Sequence, residues 1–477
     1  MGKNEEYKDL IKEMGLPDPN DSSYFRESSI KNKQRINGKY NVSGDKVPEW
    51  VQVSENGKVT INTGLLADYL IDNIPAIYVA NQFYIYENGV YRKSLEDEDL
   101  TIVKELIDSK YSTMYRIKDA AAQWKTDRKV KIFPHQINYN PYIINLKNCL
   151  YDLRDNQCYK HTSNYKTTIQ LNANYNPNAK GETFERFIKE AIPNELNRKI
   201  AQEILGYCLT SFTEAKKLFI LLGKKDTGKS TFLRIIENLI PEENVSHVEL
   251  QAINKDYNTA QLFNKLVNIF ADLPDQGIKD VGLIKALTGE DTISARHIYG
   301  TPFDFINKAK MIFSTNNMPP NYGDKSDAFY ERLIILPFNQ QKKDGEKDPQ
   351  LKYKLAEEND YIFMWALEGL KRLIKQNFIF TYSPEVRALI NEYKTSSNSV
   401  LQFVDEKCII NENMWVYRSL LYKEYREFCQ ENGLLPLNST KFNKELETNL
   451  SLKRKQMGPK RLRAFIGLGL INNDRGE

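Results

Sequence analysis

The chain has 477 residues, with 67 lysines and arginines against 63 aspartates and glutamates, which gives a formal net charge of +4 at pH 7. This length predicts about three domains and a core that needs neither a disulfide nor a metal for stability. The five cysteines form no C-x-x-C pair, and no apolar run is long enough for a membrane span or a signal peptide. We therefore expect a reduced, cytoplasmic protein without a membrane partner, and the abundance of lysine, asparagine, isoleucine and tyrosine indicates a bacterial origin.

The first predicted unit is an arm and linker over residues 1–57. The stretch 26–46 within it is polar, rich in charge and carries glycine, which is typical of a flexible segment. Its basic residues could contact DNA phosphates, but a solvated linker is the preferred interpretation.

Residues 58–210 are predicted to mix strands and helices and to end in a helical region. The Asn88-Gly89 pair marks the turn of a hairpin over 83–91, and a second hairpin is predicted between 142 and 159. Helices are predicted over 98–109 and 113–126, and the pattern becomes helical from 183 to 209. The acidic run 96–99 stands at a predicted helix start, where the helix dipole favours carboxylates, so no primase metal site is predicted.

A phosphate-binding loop follows these helices. Residues 223–230 match the motif G-x-x-x-x-G-K-[ST] in full, with an apolar run before them and a helical pattern after them, which is the context that the motif requires. Backbone N–H groups would hold the phosphates of ATP, Lys229 would reach the β- and γ-phosphates, and the Ser230 hydroxyl would hold Mg²⁺. The predicted ATP-binding residues are Gly223, Lys224, Lys225, Asp226, Thr227, Gly228, Lys229, Ser230 and Thr231.

Three further polar residues follow apolar runs and complete the predicted catalytic set. Asp272 ends the run 266–272 and would hold Mg²⁺ or orient the attacking water. Asn316 ends the run 311–316 and would polarise that water at the γ-phosphate. Arg332 precedes the run 333–336 and is predicted to act as an arginine finger from a neighbouring subunit.

The order and spacing of these elements resemble the superfamily 3 helicases. The residues that carry the resemblance are the loop, Asp272, the segment 284–291, Ser314-Thr315-Asn316 and Arg332, with upstream support from 148–152 and 205–210. The chain is most similar to the phage and plasmid primase–helicase branch, and within it to the Rep initiator helicases of staphylococcal pathogenicity islands. The resemblance implies a ring-forming AAA+ ATPase, usually hexameric, that moves 3′-to-5′ on single-stranded DNA. It also implies that the helical end of the region 58–210 forms a collar that packs the rings together.

Two positions depart from that family pattern. Superfamily 3 enzymes often carry two adjacent acids after the second strand, but Ala271 fills the first place here, so Asp272 must act alone or with Asp275. Some relatives place two arginines at the finger, whereas this chain has Glu331 before Arg332. Whether Asp272 mainly holds the metal or mainly orients water stays open.

The segment 292–306 has the alternation of a hairpin about a Gly-Thr-Pro turn. In superfamily 3 rings a hairpin at this place lines the central channel and follows the DNA backbone. Arg296, His297 and Lys308 would contact phosphates, and Tyr299 would stack on a base. The alternatives are a buried hairpin with Tyr299 in the core, or Arg296 directed at the neighbouring subunit's nucleotide.

The C-terminal region has the pattern of a winged helix. Helices are predicted over 400–408, 419–432 and 439–450, with the last as the recognition helix, and strands are predicted between 452 and 470. Cations flank a Gly-Pro turn in the last hairpin without an acid among them, which favours phosphate contacts. These predicted DNA-binding residues are Lys453, Arg454, Lys455, Lys460, Arg461 and Arg463.

Together these features predict an α/β protein with an AAA+ P-loop ATPase core, a mixed α+β N-terminal region and a C-terminal winged helix. The predicted domains are 1–57, 58–210, 211–380 and 381–477. The leading hypothesis is a replicative helicase and initiator of a phage, plasmid or mobile genetic island that uses ATP and Mg²⁺. Its expected partners are single- and double-stranded origin DNA, other copies of itself in a hexameric ring, and a separate primase or host replication proteins. An origin-binding ATPase switch without processive unwinding, and a P-loop enzyme unrelated to DNA, are the alternatives.

Overall fold

The computed structural model describes residues 47–274, 277–278, 281–298, 300–321, 323, 327–342, 348–450, 452–459 and 461–471. Three predicted site residues, Asp275, Tyr299 and Lys460, lie outside the described residues, as do residues 1–46 of the predicted arm.

The N-terminal unit has two small antiparallel sheets and three helices around a core of its own. Trp124 is fully buried at the centre of this core and packs edge-on against Phe83 at 4.8 Å between ring centroids. The elements of the unit are β1 (Val51–Val53), β2 (Val59–Ile61), α1 (Thr63–Asn73), β3 (Ala76–Val79), β4 (Gln82–Glu87), β5 (Val90–Lys93), α2 (Glu98–Glu105) and α3 (Met114–Thr126).

The central unit begins with a three-stranded antiparallel sheet and two helices that pack into the same core as the strands that follow. Its main feature is a five-stranded parallel sheet in the order β10-β11-β14-β9-β15. The elements are β6 (Ile143–Asn145), β7 (Leu150–Asp152), β8 (Gln157–Tyr159), α4 (Glu182–Ala191), α5 (Glu195–Cys208), β9 (Leu218–Leu222), α6 (Lys229–Leu239), β10 (Val245–Ser246), α7 (Asp256–Thr259), β11 (Val267–Phe270), α8 (Val281–Thr288), β12 (Thr292–Arg296), β13 (Pro302–Ile306), β14 (Lys310–Thr315), α9 (Asp327–Tyr330), β15 (Leu333–Pro337), α10 (Leu351–Glu357), α11 (Asn359–Lys375) and α12 (Pro384–Ser396).

The parallel sheet is covered on both faces, which explains why its strands read as continuous apolar runs in the sequence. Phe219, Ile312 and Ile335, on three neighbouring strands, are fully buried. Leu218 on β9 lies level with Met311 on β14 and with Leu333 on β15. Because all five strands run the same way, their carboxyl ends meet at one edge of the sheet, and the loops after them converge there.

The C-terminal unit combines three helices with a three-stranded antiparallel sheet in the order β16-β18-β17, around a third core. Phe403, Tyr425, Phe442 and Phe465 are buried in this core. The elements are α13 (Ser399–Lys407), β16 (Cys408–Tyr417), α14 (Arg418–Glu431), α15 (Ser439–Leu450), β17 (Lys453–Met457) and β18 (Leu462–Leu470).

The structure confirms the predicted elements to within a few residues. It also contains elements that the sequence did not predict, among them helices α1, α10 and α12, and one predicted boundary is corrected. Strand β16 was not predicted, because the residues 409–414 lack a clear alternation of apolar and polar side chains. The predicted boundary at 381 is also displaced. Helix α12 contributes Val386, Ile390 and Tyr393 to the central core, whereas the C-terminal core begins at Val400, so the chain passes between the two units after α12.

Candidate nucleotide site and nucleic-acid surfaces

The phosphate-binding loop connects the carboxyl end of β9 to the start of α6. Gly223 opens the loop against β15, and a Cβ added there would lie 2.1 Å from the Phe338 carbonyl oxygen, so only glycine fits. Gly228 closes the loop with a φ of +99°, in the left-handed region that glycine adopts most easily. Thr227 is buried, and its hydroxyl donates to the Lys224 carbonyl at 2.9 Å. The loop is therefore shaped by its backbone, as a phosphate cradle must be.

Lys229 is only 6% exposed, and three oxygens hold its ammonium group. The Nζ atom donates to the carbonyls of Gly223 at 2.5 Å and Lys224 at 2.8 Å, and to the Asn316 side-chain oxygen at 3.1 Å. Burial lowers the pKa of Lys229, while the charges of Asp272 and Asp226 act in the opposite direction. The structure thus brings Lys229, Asn316 and Asp272 together at the carboxyl edge of the sheet.

Asp272 follows β11 in an unusual backbone conformation. Its φ is +56°, its N–H donates to the Ser314 hydroxyl at 3.4 Å, and its side chain is exposed. The carboxylate is exposed at the carboxyl edge of the sheet, where the next residue, Leu273, donates its N–H to the Ser314 carbonyl at 2.9 Å. Asn316 is also exposed, one residue after β14.

A cleft of about 630 Å³ extends from the loop along α6. Phe187 and Ala191 of α4 line one side, and a Cβ added at Gly228 would lie 3.2 Å from Ala191 and 3.3 Å from Phe187. Arg234 and Lys342 line the other parts of the cleft, with Lys342 paired to Glu190 at 2.9 Å. Ser230 and Thr231 also face it. Sequence reasoning missed Phe187 and Lys342, because α4 and the segment after β15 reach the loop only in the folded chain. It missed Arg234 because the loop motif ends before this position of α6.

Arg332 lies at the opposite edge of the same sheet. Its backbone carbonyl accepts from the N–H of Leu218 at 2.8 Å, which places it at the level where β9 begins. With a rise of about 3.3 Å per residue, the loop is about 16 Å further along the strand. The Nη1 atom of Arg332 donates to the Ala328 carbonyl at 2.7 Å. Arg332 also lies close enough to Lys217 to contribute to the lowering of its pKa, which is caused mainly by burial. Within one chain Arg332 is therefore not directed at its own loop.

The predicted channel hairpin forms as β12 and β13, but it presents its cations unequally. Arg296 is exposed at the end of β12. His297 is half-buried and stacks on Phe303 with 5.1 Å between ring centroids. Lys308 donates to the carbonyl of Asn138 at 3.0 Å, and burial lowers its pKa to about 8. Lys308 therefore does not fit the predicted DNA surface, because its ammonium group joins the central sheet to the segment before β6.

The basic residues of the C-terminal hairpin divide between the two faces of their sheet. Lys453 and Lys455 are exposed and share a face, since alternate residues of a strand point the same way. Arg454 points to the other side and pairs with Glu447 on α15. Arg463 lies on that side too, close enough to affect Arg418, whose pKa is lowered mainly by burial. Arg461 is exposed in the turn.

No helix of the described residues is long and apolar enough to cross a membrane. The same part of the chain contains no group of three or more histidine, cysteine, aspartate or glutamate side chains that could hold a metal ion by themselves.

Family models match three separate segments of the chain. A model described as D5 N terminal like matches residues 35–193, a family of unknown function (DUF5906) matches 221–332, and a model described as Poxvirus D5 protein-like matches 395–462. A protein of Acanthamoeba polyphaga mimivirus named "Putative helicase" is 24% identical over 224 residues, which are 43% of this chain and 22% of the mimivirus protein. The match thus spans less than a quarter of that relative's length.

Solved structures of the NrS-1 C-terminal region share the fold. Its A form apo structure superposes with a TM-score of 0.53 at 12% identity and covers 84% of this chain and 98% of that one. A second apo structure of the region gives a TM-score of 0.50 at 13% identity, with 85% and 99% coverage. This likeness shows the fold alone, and the resemblance to D5 proteins and to a protein named as a helicase comes from the family models and the mimivirus relative.

Proposed function

We propose that the chain is an ATP-dependent replicative DNA helicase and replication initiator of a phage, plasmid or mobile genetic island. It acts as a ring, expected to be hexameric, that moves 3′-to-5′ on single-stranded DNA. The central unit is assigned as a superfamily 3 AAA+ ATPase and the C-terminal unit as a winged helix that binds origin DNA. The D5-like family models and the relative named as a helicase support this assignment.

The loop residues Gly223 to Thr231 would bind the phosphates of ATP, with Lys229 between the loop carbonyls and Asn316. Mg²⁺ prefers oxygen ligands and usually keeps the substrate phosphates and only one or two protein groups. Ser230 and Asp272 fit this requirement, because both are exposed oxygen-bearing side chains beside Lys229 or its loop. When bound, Mg²⁺ would neutralise charge on the phosphates, and Asn316 would orient the attacking water.

The observation that carries the ring is the position of Arg332. The loop and Arg332 lie at opposite edges of one parallel sheet, about 16 Å apart along the strand. An arginine finger must touch the transferring phosphoryl group, so Arg332 can serve only the site of another copy. A head-to-tail arrangement, in which the amino edge of one sheet faces the loop of the next, generates a closed ring when the rotation closes.

Unwinding of a forked duplex with a free 3′ tail tests the proposal. We expect strand separation with ATP and Mg²⁺ by the wild type, and none by Lys229→Ala or Arg332→Ala. A mixture of the two inactive variants tests the action in trans. An interface is competent where an Arg332→Ala copy supplies the loop and a Lys229→Ala copy supplies the finger. Random mixing should therefore restore about a quarter of the wild-type ATPase rate.

A mixture as inactive as its components, from variants that still assemble, would contradict the trans assignment. The second candidate function is an origin-binding ATPase switch, and the separate core of the basic C-terminal unit favours it. Such a protein would hydrolyse ATP and bind duplex origin DNA but leave the fork intact.

A further inference from the structure

The C-terminal sheet has two faces of different chemistry, and its strand register assigns each residue to one of them. Val416 lies opposite Phe465, which lies opposite Arg454. Val416 and Phe465 are buried in the C-terminal core, so this row faces the helices. The neighbouring rows, which pass through Trp415 and Tyr417, must face the other way because side chains alternate along a strand.

This outer face is open in the described part of the chain and combines aromatic rings with lysines. Ile466 on β18 lies between Trp415 and Lys453 and forms one row across the sheet with them. Ala464 forms the next row, between Tyr417 and Lys455. Trp415 is 41% exposed. Neither lysine forms an ion pair with another described residue.

Two packing details hold the aromatic side chains in place on the outer face. The rings of Trp415 and Tyr417 meet edge to face, with 5.0 Å between centroids and 78° between planes. Ala464 is fully buried although it belongs to the outer face and not to the C-terminal core. The Tyr417 hydroxyl reaches the turn at Gly458, where an added Cβ would lie 2.2 Å from it. The two rings are therefore fixed before any ligand arrives.

The helix-facing side differs, because two of its cations already have partners within the protein. Arg454 pairs with Glu447, and the Arg418 guanidinium lies over the Phe465 ring at 5.4 Å and donates to Asn443 at 3.0 Å. These cations are tied to the protein. The lysines of the outer face remain available to a phosphate backbone.

We propose that this outer face, defined by Trp415, Tyr417, Lys453 and Lys455, binds single-stranded DNA. Unpaired bases offer a flat π-face to an exposed ring, whereas bases in a duplex are covered by their neighbours. The two lysines are about 7 Å apart along β17, and each lies two strands, about 10 Å, from its aromatic partner, within reach of the phosphates that flank a stacked base. The inference rests on the proposed function, for which it supplies a place where the separated strand can be held.

The test is equilibrium binding of a fluorescent oligo-dT to the full-length protein without nucleotide, beside a blunt duplex of equal length. Trp415→Ala should weaken oligo-dT binding about tenfold and leave duplex binding unchanged, while Trp415→Phe should retain most of the affinity. Leu435→Ala, which removes another exposed apolar side chain, is the matched control and should bind as the wild type does. Thermal unfolding of each variant confirms that it is folded.

Salt dependence gives the second readout. Lys453→Ala with Lys455→Ala should reduce the slope of log affinity against log salt by about 1.4, since each phosphate contact on a single strand contributes about 0.7. Arg454→Ala should reduce it less, because Glu447 already compensates that charge.

Three outcomes would overturn the proposal: unchanged oligo-dT affinity in Trp415→Ala, an equal loss on duplex and oligo-dT, or a preference of this face for oligo-U over oligo-dT. The measurement needs no ATP, so it is independent of the ATPase. If the wild type unwinds DNA and Trp415→Ala binds oligo-dT as tightly as the wild type, the proposed DNA-binding surface is wrong and the proposed helicase function stands. If the wild type has no ATPase activity but Trp415→Ala loses oligo-dT binding, the proposed helicase function is wrong and the DNA-binding surface stands.

Discussion

The central and C-terminal sheets carry their functional residues in different places. Both faces of the parallel sheet are covered, so only the ends of its strands reach solvent, and Lys229, Asp272 and Asn316 gather at one such end. The antiparallel C-terminal sheet covers one face with helices and leaves the other open, so Trp415 and Lys453 stand on its exposed outer face.

This difference teaches that the sheet type decides which residues can be found from the sequence. A residue at the end of a parallel strand follows an apolar run and is visible as a break in that run. A residue on an open antiparallel face is visible only once the register is known, because its row is completed by strands far apart in the chain.

The largest expected effect concerns the two edges of the central sheet. Arg332→Ala should lower ATP turnover by about 10³-fold or more, since a finger stabilises charge in the transition state. ATP affinity should stay near the wild-type value, because Arg332 lies at the far edge from its own loop. Steady-state ATPase assays and equilibrium binding of a fluorescent ATP analogue separate the two quantities.

Lys229→Ala is the comparison for this variant, and it should lose both turnover and affinity because its ammonium stands at the loop itself. A large loss of ATP affinity in Arg332→Ala, or turnover near that of the wild type, would contradict the assignment of Arg332 as the arginine finger. The two edges of the sheet would then not differ in function as proposed.

The second effect concerns the close approach at the carboxyl edge. Gly223→Ala should weaken ATP binding more than tenfold and destabilise the central unit by about 1–3 kcal/mol, because its Cβ would lie 2.1 Å from the Phe338 carbonyl oxygen. Gly433→Ala is the matched control, with a φ of +65° but no atom within 4 Å of the added Cβ. It should cost about 1–2 kcal/mol from backbone strain and leave ATP binding intact.

ATP-analogue binding and thermal unfolding of both variants measure these effects. Equal ATP affinity in Gly223→Ala and Gly433→Ala would mean that the loop still binds ATP when the end of β15 is displaced. The carboxyl edge of the sheet would then be less rigid than the 2.1 Å approach to the Phe338 carbonyl oxygen indicates.

The sequence was sufficient for four strands of the parallel sheet and for the loop, because the signals there are local, whereas the two-residue strand β10 was not predicted. The run 218–222, the motif and the helix after it are contiguous, and the structure places them as predicted. Arg332 at the opposite edge and Asp272 at the carboxyl edge also followed, since Arg332 stands before an apolar run and Asp272 after one. What could not be predicted depends on contacts between distant segments.

Contacts between residues far apart in the sequence determine the burial of Lys308 and the formation of strand β16. The charge of Lys308 favours the surface, but the carbonyl that buries it belongs to Asn138, 170 residues earlier. Strand β16 exists because its ends pair with β18, from Cys408 with Leu470 to Tyr417 with Ala464. The alternation of Trp415, Val416 and Tyr417 was a signal for a strand with an aromatic face, and it was too short to recognise without that partner.

The smallest expected effect compares a lysine inside the central sheet with the solvated lysines of the C-terminal one. Lys310 is buried at the start of β14, donates to the carbonyls of Thr210 and Lys308, and lies 4.8 Å from the centroid of the Tyr207 ring. Burial lowers its pKa from 10.5 to about 7. Between these two values the unfolded chain binds a proton that the folded chain does not, so the free energy of unfolding should rise with pH across that window.

Lys310→Met removes this contribution while it keeps a long apolar side chain in the site. We expect urea unfolding of the wild type to gain up to about 1 kcal/mol for each pH unit between 7 and 9 relative to Lys310→Met. The variant should therefore show its greatest relative stability at pH 7, where the wild type carries the cost of a charge in a covered sheet. Parallel pH dependence of the two proteins would mean that water or a rearranged carbonyl solvates the Lys310 ammonium, and that this end of β14 is as open to solvent as the outer face of the C-terminal sheet.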